Sequence, residues 1–257
     1  MKKTALITGT STGIGRATAL YFQQRGWNVA ATMRTPAKET ELGQLPGVAL
    51  IALDVTKPDS IRQGLQAAIA KFGKLDAVVN NAGYALNGPF EAYTQEQIRR
   101  QFETNVFGVL RTVHAALPAL TERRGRLALV GSVAAYVYPP GVGSYNMSKA
   151  AVVALAETLR VELAPTGVSV TLVTPGFVAS EIRQVDNAGV YQAERGDPAP
   201  QWLVMPAERA ARQIIRAIVR REREAIITWH GKAAVALGRH APGLRSLLLR
   251  RTTGQAP

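Results

Sequence analysis

The apolar positions along the chain follow two alternating patterns. Short, nearly continuous apolar runs occur at 4–8 (T-A-L-I-T), 27–34 (W-N-V-A-A-T-M-R), 48–56 (V-A-L-I-A-L-D-V-T), 75–80 (L-D-A-V-V-N), 126–130 (R-L-A-L-V), 168–174 (V-S-V-T-L-V-T) and 224–229 (E-A-I-I-T-W). Runs of that length without a polar face predict strands covered on both sides. Between them, apolar residues recur at helical spacing after Gly15, up to Phe72, over 94–122, over 144–164 and over 206–220. Strand precedes helix each time, so the expected architecture is α/β, a parallel sheet of about seven strands joined by crossover helices. Residues 94–122 read as one long helix.

Two stretches break the alternation. Over 181–205 the pattern dissolves into polar residues with Gly189, Gly196, Pro198 and Pro200, and an irregular stretch of that size predicts a substrate lid. The tail, 232–257, mixes leucines with arginines, and Pro242 divides it into two short amphipathic pieces. It suits a cover for the pocket, a contact with a neighbouring subunit or a peripheral membrane contact, the last not favoured. The helix over 144–164 is apolar almost all round, which predicts packing on its outer side and a homodimer or homotetramer. No internal repeat or linker appears, so 1–257 reads as a single domain.

The first strand runs into G-T-S-T-G-I-G-R at the start of a helix. Gly9 permits a tight turn, Gly13 lets backbone approach a pyrophosphate, and Gly15 lets the helix pack close to the sheet. The amides of the helix start then face the phosphates. This is a dinucleotide-binding arrangement of Rossmann type: a doubly wound sheet with helices on both faces, three layers α/β/α. At the end of the second strand, where a carboxylate would select NAD, stand Met33 and Arg34, with no acidic residue before Glu39. A guanidinium suits a 2′-phosphate, so NADP(H) is preferred and NAD(H) possible. Asp54, followed by Val55, either accepts from the adenine amino group or caps the next helix. Asn81, Ala82 and Gly83 end the fourth strand with residues that let a cofactor lie against backbone. Asn105, among apolar neighbours, is expected to be buried and hydrogen-bonded.

The candidate chemistry lies in G-S-V-A-A-Y-V-Y-P-P-G-V-G-S-Y-N-M-S-K-A, 131–150. Tyr145 and Lys149 fall one helical turn apart on the same face, and Ser132 ends the preceding strand. An ammonium beside a phenol favours the phenolate, so Lys149 is expected to lower the pKa of Tyr145 toward neutrality. Ser132 is placed to donate a hydrogen bond to a substrate oxygen.

Composition narrows the picture. The chain has 257 residues, 47% of them hydrophobic, enough for one sizeable core. It has no cysteine and only three histidines, His114, His230 and His240, far apart in sequence, so no metal site is expected. The net charge of +13 comes mainly from arginine without interleaved aromatics, and no nucleic-acid partner is expected. The basic start M-K-K-T-A-L-I-T-G-T is broken by Gly9 and reads as a strand rather than a leader. No apolar run nears the ~20 residues of a membrane span, so a cytoplasmic location is expected.

Taken together, T-G-T-S-T-G-I-G, L-D-V-T, N-N-A-G, N-V-F-G, G-S, S-Y-N-M-S-K and T-P-G-F-V-A-S resemble, in order and spacing, the short-chain dehydrogenase/reductase family over nearly the full chain. The resemblance implies that Tyr145 is the general acid or base and that Lys149 lowers its pKa and holds the nicotinamide ribose. Ser132 would polarise the carbonyl, and Asn105 would hold a water that relays protons. It further implies that Gly9, Ser11, Thr12, Gly13, Ile14 and Gly15 line the pyrophosphate side. Arg34 would face the 2′-phosphate, Asp54 and Val55 the adenine, and Asn81 to Gly83 the adenosine ribose. Pro175, Gly176, Val178 and Ser180 would sit by the nicotinamide. Thr12 departs from the basic residue that many NADPH-preferring members carry there, leaving Arg34 as the selecting group. The stretch around Tyr145 is similar to members acting on steroids, retinoids and other lipophilic alcohols or ketones. Pocket walls are expected from Ala134, Tyr138, Val142, Phe177, Tyr191 and Trp202. The alternatives are an NAD-dependent alcohol dehydrogenase of the same fold and a dinucleotide-binding regulatory protein without turnover.

Overall fold

In the computed structural model, residues 2–187, 192, 194 and 196–252 are described, 251 and 252 by backbone alone. The apolar runs form β1 (Thr4–Thr8), β2 (Asn28–Met33), β3 (Val48–Ala52), β4 (Ala77–Asn80), β5 (Arg126–Val130), β6 (Ser169–Thr174) and β7 (Glu224–Ile226). They pair in the order β3-β2-β1-β4-β5-β6-β7, with every neighbour parallel. The order reverses between β1 and β4. There the connections leave in opposite directions and a crevice opens beyond the carboxyl ends of the strands.

Both faces of the sheet are covered, which is why the runs lack polar alternation. Leu6, Val78, Leu127, Leu129 and Leu172 point to one side, packing with Ile61, Leu65, Val113, Leu120 and Val152. These come from α2 (Pro58–Phe72), α4 (Gly108–Glu122) and α6 (Gly143–Glu162). The alternate residues Ala5, Ile7, Ala77, Val79, Ala128 and Val130 join Phe22, Ile214 and Ile218 on the other side. Those belong to α1 (Gly13–Gln24) and α7 (Ala207–Val219).

The expected long helix over 94–122 is interrupted. It consists of α3 (Gln95–Phe102), opened by a Thr94–Gln97 capping box, then a π-helical turn (Glu103–Phe107), then α4. A π turn inserts one residue into the helical ladder, and such turns gather at functional sites. The residue at its centre is Asn105. After β5 comes a single turn, α5 (Ala134–Val137). Over 181–205 the described residues form two 3₁₀ turns, Glu181–Arg183 and Gln201–Leu203, with isolated bridge positions at Val185 and at Met205, the latter paired with Val178. The tail forms α8 (Trp229–His240) and α9 (Pro242–Thr252), split at Pro242 as its sequence implied. Among the described residues no helix is long and apolar enough to cross a membrane.

Leu129 is fully buried in central strand β5. Leu129→Ala should lower unfolding stability by about 2–5 kcal/mol, read as a shift in urea midpoint with unchanged slope.

Candidate active site

Four strand ends meet at the crevice, and each contributes a loop. Past β1, Gly9 and Gly13 take left-handed φ of 69° and 55°. A Cβ at Gly9 would lie 3.0 Å from the Ala82 Cα, and one at Gly15 would lie 2.1 Å from the Gly9 carbonyl oxygen. The turn is therefore closed against the β4 loop on one side and against α1 on the other. Asn81 braces it by donating its amide to the carbonyls of Thr8 (2.9 Å) and Gly9 (3.0 Å). The Thr8 hydroxyl accepts from the backbone N–H groups of Asn81 and Ala82. Thr12 precedes α1 without a side-chain cap, and no acidic residue lies in the first turn. The first amides of α1, flanked by Ser11, Thr12, Gly13 and Ile14, are left for an anion, and this cradle fits a dinucleotide pyrophosphate.

Arg34 is exposed at the end of β2 and makes no ion pair among the described residues. The nearby acidic residues are engaged: Arg16, in the first turn of α1, pairs with Glu39 at 3.5 Å and with Glu41. Glu39 also accepts from the N–H groups of Glu41 and Leu42. Burial raises the Glu39 carboxyl, but those two N–H groups and Arg16 outweigh it and hold the group below the ordinary carboxylate range. Asp54 does not cap α2, whose cap position is Lys57. One of its oxygens instead accepts from the N–H and hydroxyl of Thr56, at 3.0 and 2.7 Å, in a local turn. Val55 packs where a Cβ at Gly108 would meet it at 2.9 Å.

Tyr145 and Lys149 lie on α6, and Ser132 lies just beyond β5. Lys149 is 4% exposed and donates to the Val130 carbonyl at 2.8 Å. Its ammonium is 5.7 Å from the centroid of the Tyr145 ring. Burial without a carboxylate pulls that ammonium down to about 8. The expected lowering of Tyr145 is not what the structure shows. Burial pushes the phenol up, and its hydrogen bond with Ser132 and the charge of Arg183 only partly oppose this. The physical reason is that phenol and amine share one desolvated pocket, so loss of water acts on both while the ammonium is turned to Val130.

Asn105 joins three elements. Its Oδ1 accepts from Tyr84 N–H (3.0 Å), and its Nδ2 donates to the Tyr84 carbonyl (2.9 Å) and to the Ser148 hydroxyl (3.0 Å). Ser148 in turn donates to the Tyr145 carbonyl. Both amide hydrogens of Asn105 are therefore committed, and the second lone pair of Oδ1 is what remains for a water. A Cβ at Gly83 would fall 3.0 Å from Asn105 Oδ1, a tight contact, and 3.5 Å from Lys149 Nζ, so the absence of a side chain leaves room beside Asn105.

Beyond β6, Pro175 accepts from Val133 N–H, tying this loop to the Ser132 loop. Gly176 abuts the start of α8, where a Cβ would meet the Thr228 hydroxyl at 2.2 Å and His230 Nε2 at 2.6 Å. His230 Nε2 accepts from Phe177 N–H. Val178 is buried, and the Cβ of Ser180 is 2.8 Å from where a Gly13 Cβ would stand. The sequence reading missed the bonds that hold the described residues of 181–205. Arg183 grips Asp197 through two bonds of 2.6 and 2.5 Å, and its guanidinium is 5.7 Å from the centroid of the Phe177 ring. Asn187 exchanges two bonds with the backbone of Asn87, and Arg100 donates to the Asn187 carbonyl. The partners are distant in sequence and carry no periodic signal. Of the expected pocket walls, Ala134 begins α5, Val142 precedes α6, and Tyr138, Phe177 and Trp202 are exposed. Tyr191 lies outside the described residues. Among the described residues, no group of three metal-ligating side chains occurs.

Lys149→Met should separate burial from chemistry. A folded value near 8 against 10.5 means that the unfolded chain binds more protons between those limits, so Lys149 costs stability below them and regains it as pH rises through them. At pH 7 the variant should gain about 3 kcal/mol less whatever the bond to Val130 contributed, a gap that closes toward pH 10.5. Urea titrations across that range read the difference, and a gap that does not change with pH would contradict the desolvated amine.

Comparison with known proteins agrees with this geometry. A family model described as short chain dehydrogenase matches residues 3–190. The chain is 35% identical over 236 residues to 11-beta-hydroxysteroid dehydrogenase 1A of Arabidopsis thaliana, covering 86% of this chain and 67% of the relative. Among solved structures, a short chain dehydrogenase from Burkholderia cenocepacia in complex with NADP superposes with a TM-score of 0.81 at 27% identity, covering 96% of this chain and 98% of that one. One from Burkholderia phymatum in complex with NAD gives 0.83 at 26% identity, with 95% of each chain covered. The crossed loops at the β1/β4 switch point are thus shared well beyond this sequence, and the chain belongs to the short-chain dehydrogenase/reductase family, NAD(P)-dependent oxidoreductases acting on CH–OH groups.

Proposed function

We propose that this chain interconverts an alcohol and a ketone or aldehyde on a lipophilic substrate, with NADP(H) as its preferred cofactor. The observation that carries the reading is the convergence of Ser132, Tyr145 and Lys149 beside the glycine cradle. When bound, the nicotinamide supplies or accepts the hydride. In reduction the Tyr145 phenol donates its proton to the carbonyl oxygen, and in oxidation the phenolate takes it back. Because burial holds the phenol protonated, the resting site is loaded for reduction. The Ser132 hydroxyl, near enough to the phenol to oppose the rise in its pKa, orients the same oxygen. Lys149 contributes positive charge next to Gly83, where the ribose hydroxyls of a seated cofactor come within its reach, and Asn105 holds Tyr84, Ser148 and so α6 in register.

Arg34 supports the cofactor preference, since it is unpaired at the end of β2 while Arg16 neutralises Glu39 and Glu41. The solved relatives carry NADP in one case and NAD in another, so NAD(H) use belongs to the same reading. The free oxygen of Asp54 suits the adenine amino group. A lipophilic substrate is supported by the exposed aromatic side chains of Tyr138, Phe177 and Trp202, the expected pocket walls, and by the hydroxysteroid dehydrogenase relative. We assign the outer side of α6 to a homodimer or homotetramer contact. Met147 and Phe107 are exposed there beside a cleft of about 530 Å³ that also takes in Ile98 and Phe102.

Tyr145→Phe should cut kcat by about 10²–10⁴-fold while NADPH binding, followed by fluorescence titration, persists. Retained turnover would remove the phenol from the chemistry. Arg34→Gln should raise the KM for NADPH by about 10–100-fold and leave that for NADH nearly unchanged, which parallel steady-state assays would show.

A further inference from the structure

The last helix is assembled inside out. α9 packs on the domain through its arginine: Arg245 donates to the Tyr136 carbonyl at 3.1 Å, and its guanidinium lies 4.9 Å from the centroid of the Tyr138 ring. Three of its four leucines face away. Leu244, Leu247 and Leu248, spaced i, i+3, i+4 and so on one face, are 51%, 46% and 43% exposed. Leucine is among the residues a domain most readily buries, yet here only Leu249 is half-buried, one turn from the inward Arg245.

The charge around this stripe is one-sided. From Ala225 to the last residue there is no Asp or Glu, against Lys232, Arg239, Arg245, Arg250 and Arg251. Arg239 answers to Glu224, just before this stretch. On the neighbouring helix, Trp229 is exposed as well. We propose that α9 docks in the plane of an anionic lipid surface, with Leu244, Leu247 and Leu248 entering the headgroup boundary and the acid-free tail drawn by the negative lipid charge.

Three physical arguments select this occupant. Eleven residues are too few to span a bilayer, which takes ~20, so a helix of this kind lies along the interface. A second copy meeting α9 face to face would bring together two acid-free basic tails, and like charge opposes an isologous contact. A nucleic acid would satisfy the charge but offers its phosphate backbone, not an apolar surface, to the leucines. Arg245, on the inward face, meets Tyr138, an expected pocket wall, but the docking stands on α9 and its charge and not on the substrate reading.

The test uses the full chain and needs no turnover. Co-sedimentation with vesicles of phosphatidylcholine alone, or mixed with phosphatidylglycerol, should show binding to the mixed vesicles only, weakening as salt is raised. The triple variant Leu244→Ser/Leu247→Ser/Leu248→Ser should bind the mixed vesicles about tenfold less, with an unchanged circular dichroism spectrum. Absence of binding to the mixed vesicles, or equal binding by wild type and variant, would overturn the proposal. So would a size-exclusion shift showing that the variant loses only self-association. Should the variant misfold, the salt dependence and lipid selectivity of the wild type decide the matter alone.

Discussion

An ammonium sealed from water without a carboxylate is the constraint on which the site is built. Lys149 keeps one hydrogen bond, to the Val130 carbonyl at the end of β5, and that bond fixes α6 against the carboxyl end of the sheet. Everything above it follows in register. Tyr145 stands one turn back on α6, Ser132 begins the loop that β5 feeds, and Gly83 passes beside the amine. Desolvation that lowers the amine also raises the phenol, so the phenol stays neutral and the electrostatic cost falls on the ammonium. A protein retains such a cost where the charge has work to do.

The π turn at Asn105 answers the question of how three separately folded elements agree on one geometry. A regular helix over 94–122 would not present the Asn105 amide to both Tyr84 and Ser148. The extra residue in the ladder rotates it into place, and the amide then ties the β4 loop to α6. Helix strain is exchanged for three hydrogen bonds in a buried setting, where unmade bonds would cost most. The described part of 181–205 is held differently. Arg183 bonds Asp197, and Asn187 reaches across to Asn87.

Much of this was legible without coordinates, for reasons particular to each feature. The seven strands showed because a sheet covered on both faces needs apolar residues in unbroken runs. The glycine turn showed because left-handed φ and sub-van-der-Waals backbone contacts leave one residue type available at Gly9, Gly13 and Gly15. Tyr145 and Lys149 showed because i, i+4 spacing is a local property of a helix. Asp54 was ambiguous because a short acidic side chain can cap a helix or accept from a ligand; the structure sets aside the cap, and Thr56 occupies only one of its two oxygens.

The sequence by itself determined the layering, the order of the elements and the family, since periodicity and glycine placement are local and short-range. Tertiary structure alone decided the protonation balance of Tyr145 and Lys149, because desolvation depends on everything packed around a group. It decided the break at Asn105, because the bonds that reward a π turn come from Tyr84 and Ser148, 21 and 43 residues away. It also decided that α9 turns Arg245 inward and Leu244, Leu247 and Leu248 out, since sequence shows that a helix has more than one face and only its neighbours determine which of them is covered.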